Sequence, residues 1–330
     1  MSKVLAVLAC SLMLASAGCD RIFSREPDFS RGGSYLLLQV DREALLRDHL
    51  EAAANEMADA LRASSIRFAG HGVHGDAARV QLADVADRER ALQALAAMPN
   101  AAQYQLSESE NFIEARLSEV ALRELVNAAL AESIAVLGRR MNPRQAVEIT
   151  RTSGDLLRIR MPVGTDVDEV RARATPSAKL TFHLVREVSP EEAAVGELPP
   201  NSVVAQPLPG VGHQAEVVER RPRLSGEHLE RATPSTDPQS GAFVLAFQLN
   251  PEGARRFCRI TTEHTTERFA ILLDGRVLTA PLINEPICGG SGQISGNFTA
   301  EIVRDLAAVL SAGALPAPLI VVEEGPIAPS

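Results

Sequence analysis

The chain has 330 residues, 45% of them hydrophobic, which is an ordinary globular value and enough to bury a sizeable core in one large or two smaller domains. Its formal net charge of −9 argues against nucleic acid or an anionic lipid surface as partner, because both demand basic patches. Trp is absent and only two Tyr occur, which leaves little material for a stacking site for sugars or bases.

Residues 1–19 read as a signal peptide. Lys3 supplies the positive start, and residues 4–15 form an apolar core too short to cross a bilayer. Ser16-Ala17-Gly18-Cys19 follows and is similar to the cleavage box of bacterial lipoproteins, which makes Cys19 the candidate lipidation site. A plain secretory signal and an uncleaved anchor are the alternatives, and all three export the rest of the chain. Residues 20–31 form a polar tether containing Pro27.

Gly32-Gly33 opens a buried strand, Ser34-Tyr35-Leu36-Leu37-Leu38-Gln39-Val40. A long amphipathic helix is predicted over 42–63, with Leu45, Leu46, His49, Leu50, Ala53, Met57 and Leu61 on or near one stripe. Short strands at 66–68 and 78–82 flank a loop holding His71 and His74. Two histidines three apart can chelate a metal, but no Cys, Asp or Glu cluster completes a ligand set, and a solvated glycine-rich turn is the preferred reading. Further predicted elements are helices at 87–98 and 118–138, a strand at 103–106, and a hairpin formed by 147–151 and 155–162 around Ser153-Gly154-Asp155. A short helix covers 166–174 and a strand 178–185.

Composition then changes. Residues 188–214 are rich in Pro, Gly and Glu and read as a long irregular excursion, of the sort that is either functional or mobile. A strand at 242–249 precedes a helix capped by Asn250 with Pro251 in its first turn. Two apolar runs meet at Asp274-Gly275, a hairpin signal, because both residues tolerate the positive φ of a tight turn. Pro281 ends the pairing, lacking an N–H to donate. Gly289-Gly290-Ser291-Gly292 reads as a loop reversal. No Lys-Ser/Thr follows it, so it is not a phosphate loop. Thr299 caps a helix whose Ile302, Leu306 and Leu310 share a face and which ends at Gly313. Pro316 and Pro318 stop continuation before an apolar strand at 319–322.

The wording Ala270-Ile271-Leu272-Leu273-Asp274-Gly275, Ala280-Pro281, Gly289-Gly290, Gly296-Asn297-Phe298-Thr299 and Ala312-Gly313-Ala314-Leu315-Pro316-Ala317-Pro318 closely resembles the first periplasmic domain of SecD, a protein-export accessory subunit. Gly32 and Gly33 match the glycines of a SecD motif that joins this domain to the membrane part, although the aspartate is displaced to Asp28. The resemblance is weaker over 139–164. It implies a base subdomain at 32–172, a head subdomain at 173–324 bearing the irregular insert 188–214, and a tail at 325–330. The fold class expected is α+β with two subdomains, the C-terminal one ferredoxin-like in its βαββαβ order. SecD proteins continue into several membrane helices after the Ala-Leu-Pro-Ala-Pro block, whereas no stretch after residue 19 approaches the roughly 20 apolar residues of a membrane span.

By resemblance the domain contacts unfolded preprotein or Sec translocase components on the periplasmic face of a bacterial membrane, held there by its N-terminal anchor. Cys258 and Cys288 form a candidate disulfide in an oxidising periplasm, with two separate buried thiols as the alternative. Arg139-Arg140 and Glu219-Arg220-Arg221 read as solvated surface. No catalytic constellation and no cofactor motif is present, so a noncatalytic export accessory is expected. The alternative is a periplasmic scaffold lipoprotein that reuses the domain without an export role.

Overall fold

The structure is a computed structural model and describes residues 27–141, 146–152, 154–196, 198–211 and 213–329. The signal segment, Cys19 and most of the tether lie outside the described residues.

β1 (Gly33–Val40) turns Leu36, Leu38 and Val40 inward by the two-residue period of a strand. Asp41 then caps α1 (Arg42–Ala63), its carboxylate accepting from Ala44 N at 3.0 Å. At 1.5 Å per residue, α1 is about 33 Å long, enough to serve two cores. Leu45 belongs to the first core, whereas Leu50, Ala53, Met57 and Leu61 belong to a second.

That second core lies under an antiparallel sheet ordered β2-β3-β5-β4, made of β2 (Phe68–His74), β3 (Ala77–Leu82), β4 (Tyr104–Ser109) and β5 (Phe112–Leu117). α2 (Arg88–Ala96) adds Ala91 and Leu95 to it. The two histidines are not in a turn: β2 runs through both, and the reversal comes at Gly75-Asp76. β5 is absent from the sequence reading. It alternates Ile113 and Ala115 inward with Glu114 and Arg116 outward, so half of its pattern is charged.

α3 (Glu119–Arg140), capped by Ser118, returns to the first core. β6 (Glu148–Arg151) and β7 (Leu156–Pro162) form the expected hairpin, and α4 (Val167–Ala174) follows an Asp166 cap. β8 (Leu180–Leu184), α5 (Pro190–Val195), β9 (Ser202–Ala205), β10 (Glu216–Glu219) and β11 (Leu224–Ser225) begin the second half. β12 (Leu229–Thr236), β13 (Phe243–Leu249), α6 (Pro251–Glu263), β14 (Phe269–Leu273), β15 (Arg276–Thr279), β16 (Ser291–Ser295), α7 (Ala300–Ala312) and β17 (Leu319–Ile327) complete it.

Two sheets of this half, β11-β8-β14-β15 and β12-β13-β16, enclose one core with α6 and α7. Phe182, Phe247, Phe257 and Phe269 meet at its centre, with ring centroids 5.9–6.2 Å apart. Offset and edge-to-face geometry suits the ring quadrupoles. The other face of the β14 sheet is apolar too, through Ala270, Leu272 and Val277, and the β9-β10 ladder covers it with Ala205 and Val218. This explains why all five residues of β14 are buried.

Helix and strand each make up 34% of the described residues, and every ladder between named strands is antiparallel, which is α+β organisation. Other expectations are corrected. β13, α6, β14, β15, α7 and β17 follow in that order with β16 inserted before α7, but these strands do not share a ferredoxin-like sheet. β13 pairs with β12 and β16, β14 with β8 and β15, and β17 with β1 in the first core. The sheet there is ordered β17-β1-β7-β6, and β17 reaches Ile327, three residues into the expected tail. The excursion 188–214 is not irregular throughout: α5 has a Ser189/Glu192 capping box, and β9 is the partner of β10. The glycine segment at 289–292 leads straight into β16, whose Gly292 lies against the Phe247 ring.

Candidate functional site: the joint and the cleft between two lobes

The chain passes from the first core to the head along 175–179 and returns along 313–318. The two crossings lie side by side, with Leu315 N donating to Ser177 O at 2.7 Å. Leu315 and Ala317 are fully buried there.

Arg140, the last residue of α3, clamps both crossings. It is 3% exposed, and its guanidinium donates to Arg173 O at the end of α4, to Pro176 O and Ser177 O on the outgoing crossing and to Gly313 O on the return. Burial lowers its pKa to about 10, with the Asp274 charge opposing that shift, so it is cationic at neutral pH. Its Nε has no partner. Arg139 beside it donates to Ala312 O at 2.8 Å. Of the two arginines expected at the surface, Arg140 is therefore buried, while Arg139 stays half exposed. Ser133, Val136, Leu137 and Arg140 recur at the three- and four-residue spacing of one buried stripe, a signal the sequence contained.

Asp274 secures the outgoing crossing from the head side. It sits in the expected tight turn, with φ 51° at Asp274 and 75° at Gly275. Its carboxylate accepts from Ser177 Oγ at 2.5 Å, Ala178 N at 3.1 Å and Lys179 N at 2.8 Å, and its own N–H donates to Lys179 O at 2.9 Å. The hairpin tip is thus also an anchor.

Among the motif residues singled out in the sequence, Asp274, Gly275, Gly313, Leu315 and Pro316 gather at this joint. The others lie elsewhere. Gly33 starts β1, with Gly32 just before it, where that strand is pinched between β7 and β17. A Cβ on Gly33 would lie 2.1 Å from Met161 O. Pro281 O accepts from Phe269 N at 2.8 Å inside the head. Gly290 O accepts from Leu249 N at 2.7 Å, and Gly289 is next to it. Cys258 on α6 and Cys288 in the loop before β16 are joined in the structure, with Cα atoms 4.3 Å apart.

A cleft of about 980 Å³ separates α1 and β2 from the head segment 219–223 and α6. Arg47 and Arg62 come from α1, and Arg186, Arg220, Arg221, Arg223 and Arg256 from the head, against only Glu51 and Glu219 in the lining. Arg221 crosses to Asp59 at 3.2 Å and Lys179 reaches Asp48, so the lobes also meet through ion pairs at the rim. His71 lines the cleft, Nε2 3.2 Å from Asn55 Oδ1. Its pKa is lowered, first by burial and then by Arg62 and Arg221. The His71/His74 pair gains no ligand set, and among the described residues no group of three or more His, Cys, Asp or Glu could hold a metal. No helix among them is long and apolar enough to cross a membrane.

Residues 203–317 match the family model of the SecDF P1 head subdomain. The chain is 35% identical over 309 residues to the protein translocase subunit SecD of Acetobacter pasteurianus, covering 91% of this chain and 58% of that protein. The SecD of Rickettsia bellii is 33% identical over 303 residues with the same coverage. A solved structure of SecDF, a membrane component that enhances protein export, is 27% identical, covers 59% of this chain and 92% of that one, and has a TM-score of 0.46. The chain spans somewhat over half the length of the curated relatives it matches. Residues 203–317 thus carry the SecDF P1 head, within sequence similar to SecD along 91% of the chain.

Proposed function

We propose that this chain is a noncatalytic accessory to Sec-dependent protein export that works on the periplasmic face of the membrane and engages polypeptide in transit. The observation carrying this reading is its similarity to SecD subunits over 91% of its length. The two-lobed arrangement supports it, since a head joined to a base by two adjacent crossings leaves a cleft of about 980 Å³ between them. Lipidation of Cys19 would hold the protein at the membrane, and mass spectrometry of the mature N-terminus tests that anchor. A Cys258–Cys288 disulfide, as the two residues are joined in the structure, would accord with an exported location if it forms in the cell.

The decisive experiment is photocrosslinking in intact cells from probes placed around the head. Recovery of Sec channel subunits or nascent secreted chains is the expected result. A single stable envelope partner, with neither of those recovered, would instead make the protein a scaffold that reuses the domain.

A further inference from the structure

The cleft carries charge of the opposite sign to the molecule as a whole. The chain is formally −9, yet seven arginines line this one cleft. Four of them share two acids, and Arg256 pairs with Glu252. Arg62 and Arg221 both pair with Asp59, and Arg186 and Arg223 both pair with Glu219. Among the described residues Arg47 is in no ion pair, and Arg220 makes only a long contact, 3.4 Å to Ser202 O. Guanidinium forks are therefore left over, and a fork matches a carboxylate with two parallel hydrogen bonds.

The shape selects among anions. From Arg47 to Arg62, α1 runs along one wall for about 22 Å, which accommodates roughly six or seven residues of extended chain. β2 contributes His71, Gly72 and Val73 and is an edge strand, paired only with β3. A Cβ at Gly70 or Gly72 would meet nothing within 4 Å, so no side chain crowds the sheet face at these two residues. An unpaired edge can accept a further strand from another chain. A single phosphate would use one guanidinium cluster and leave the edge idle, and an anionic bilayer would face the net negative charge of the rest of the surface.

We infer that this cleft binds an extended, carboxylate-rich segment of polypeptide. The inference deepens the proposed function and rests on it for the origin of the segment: among chains in transit, acidic stretches are the ones held here.

The test uses the intact chain and fluorescein-labelled unstructured peptides of about a dozen residues, with Glu, Gln or Lys at every second position. Fluorescence anisotropy should show binding of the Glu peptide only, weakening as salt rises. Arg47→Gln combined with Arg220→Gln should reduce affinity about tenfold or more without shifting the thermal melt. In the unsubstituted protein the Glu peptide should slow amide exchange at Gly70 to Val73, a readout that does not depend on any variant folding. Equal affinity for the Gln peptide, an unaffected variant, or unprotected β2 amides overturns the inference. So does sedimentation with phosphatidylglycerol vesicles that the Glu peptide cannot displace. Peptide binding in the tube without crosslinks to exported chains in cells would remove the export reading and leave the cleft. Crosslinks without peptide binding would do the reverse.

Discussion

Arg140 is a charge taken out of water at a point where four carbonyls need a donor. Removing it would leave those carbonyls facing one another inside the joint, and breaking a charged hydrogen-bond cluster of this kind costs about 3 kcal/mol or more. Arg140→Ala should therefore lower the urea midpoint sharply, whereas Arg139→Ala, on a half-exposed side chain with one carbonyl partner, should cost under about 1 kcal/mol. A result in which both substitutions cost the same would contradict the clamp. Gly33 is constrained by space. Its missing Cβ leaves room for Met161 O, so Gly33→Ala must push β7 away from β1, and a loss of about 2 kcal/mol or more is expected by chemical denaturation. Titration gives another check. His49, His71 and His183 all have lowered pKa values, with burial the first cause in each. The unfolded chain therefore binds more protons than the folded one below the ordinary histidine range. Stability should be fully present above about pH 7 and fall as pH drops through 6.5 towards the folded values. The melting temperature followed from pH 7.5 to 5 reads this directly, and a rise on acidification would refute it.

Elements show where local pattern suffices and where it does not. α1, α3, α6 and α7 were legible because their caps and apolar stripes are local properties, and Asp41, Ser118, Asn250 and Thr299 all cap as their side chains allow. β9 and β16 escaped because each is short and marked by little more than a Val-Val pair or a Gly-rich run. What makes them strands is a partner, β10 or β13, supplied by the fold. The Cys258–Cys288 link ties α6 to the approach to β16 across a separation of 30 residues. A loop of that length closed in the unfolded chain is worth on the order of 3 kcal/mol. Unreduced protein should show no titratable thiol at these positions, and Cys258→Ser with Cys288→Ser should lower stability by about that amount. Thiols reactive before reduction would contradict the link.

At the scale of the whole molecule, the joint connects the head to the core that holds β1 and β17. Asp274 acts there on the outgoing crossing through three hydrogen bonds at its carboxylate. Asp274→Ala should leave the hairpin formed but loosen the crossing, and amide exchange at 175–179 should quicken far more than exchange in β14. Uniform quickening through the head would mean that Asp274 supports the head core itself and not the joint.

The sequence by itself determined the α+β class, the long helices, the Asn250 and Thr299 caps, the Asp274-Gly275 turn, and the SecD wording near the C-terminal end. All of these depend on residues close together in the chain. Only the tertiary structure decided which strands share a sheet. Element order does not encode pairing: β17 has the same apolar run whether it closes a ferredoxin-like sheet or crosses back to β1. Burial of a charge is likewise decided at a distance. Arg140 is enclosed because two crossings far apart in sequence bring their carbonyls to it, and the arginines of the cleft become one surface only when α1 and the 219–223 segment face each other.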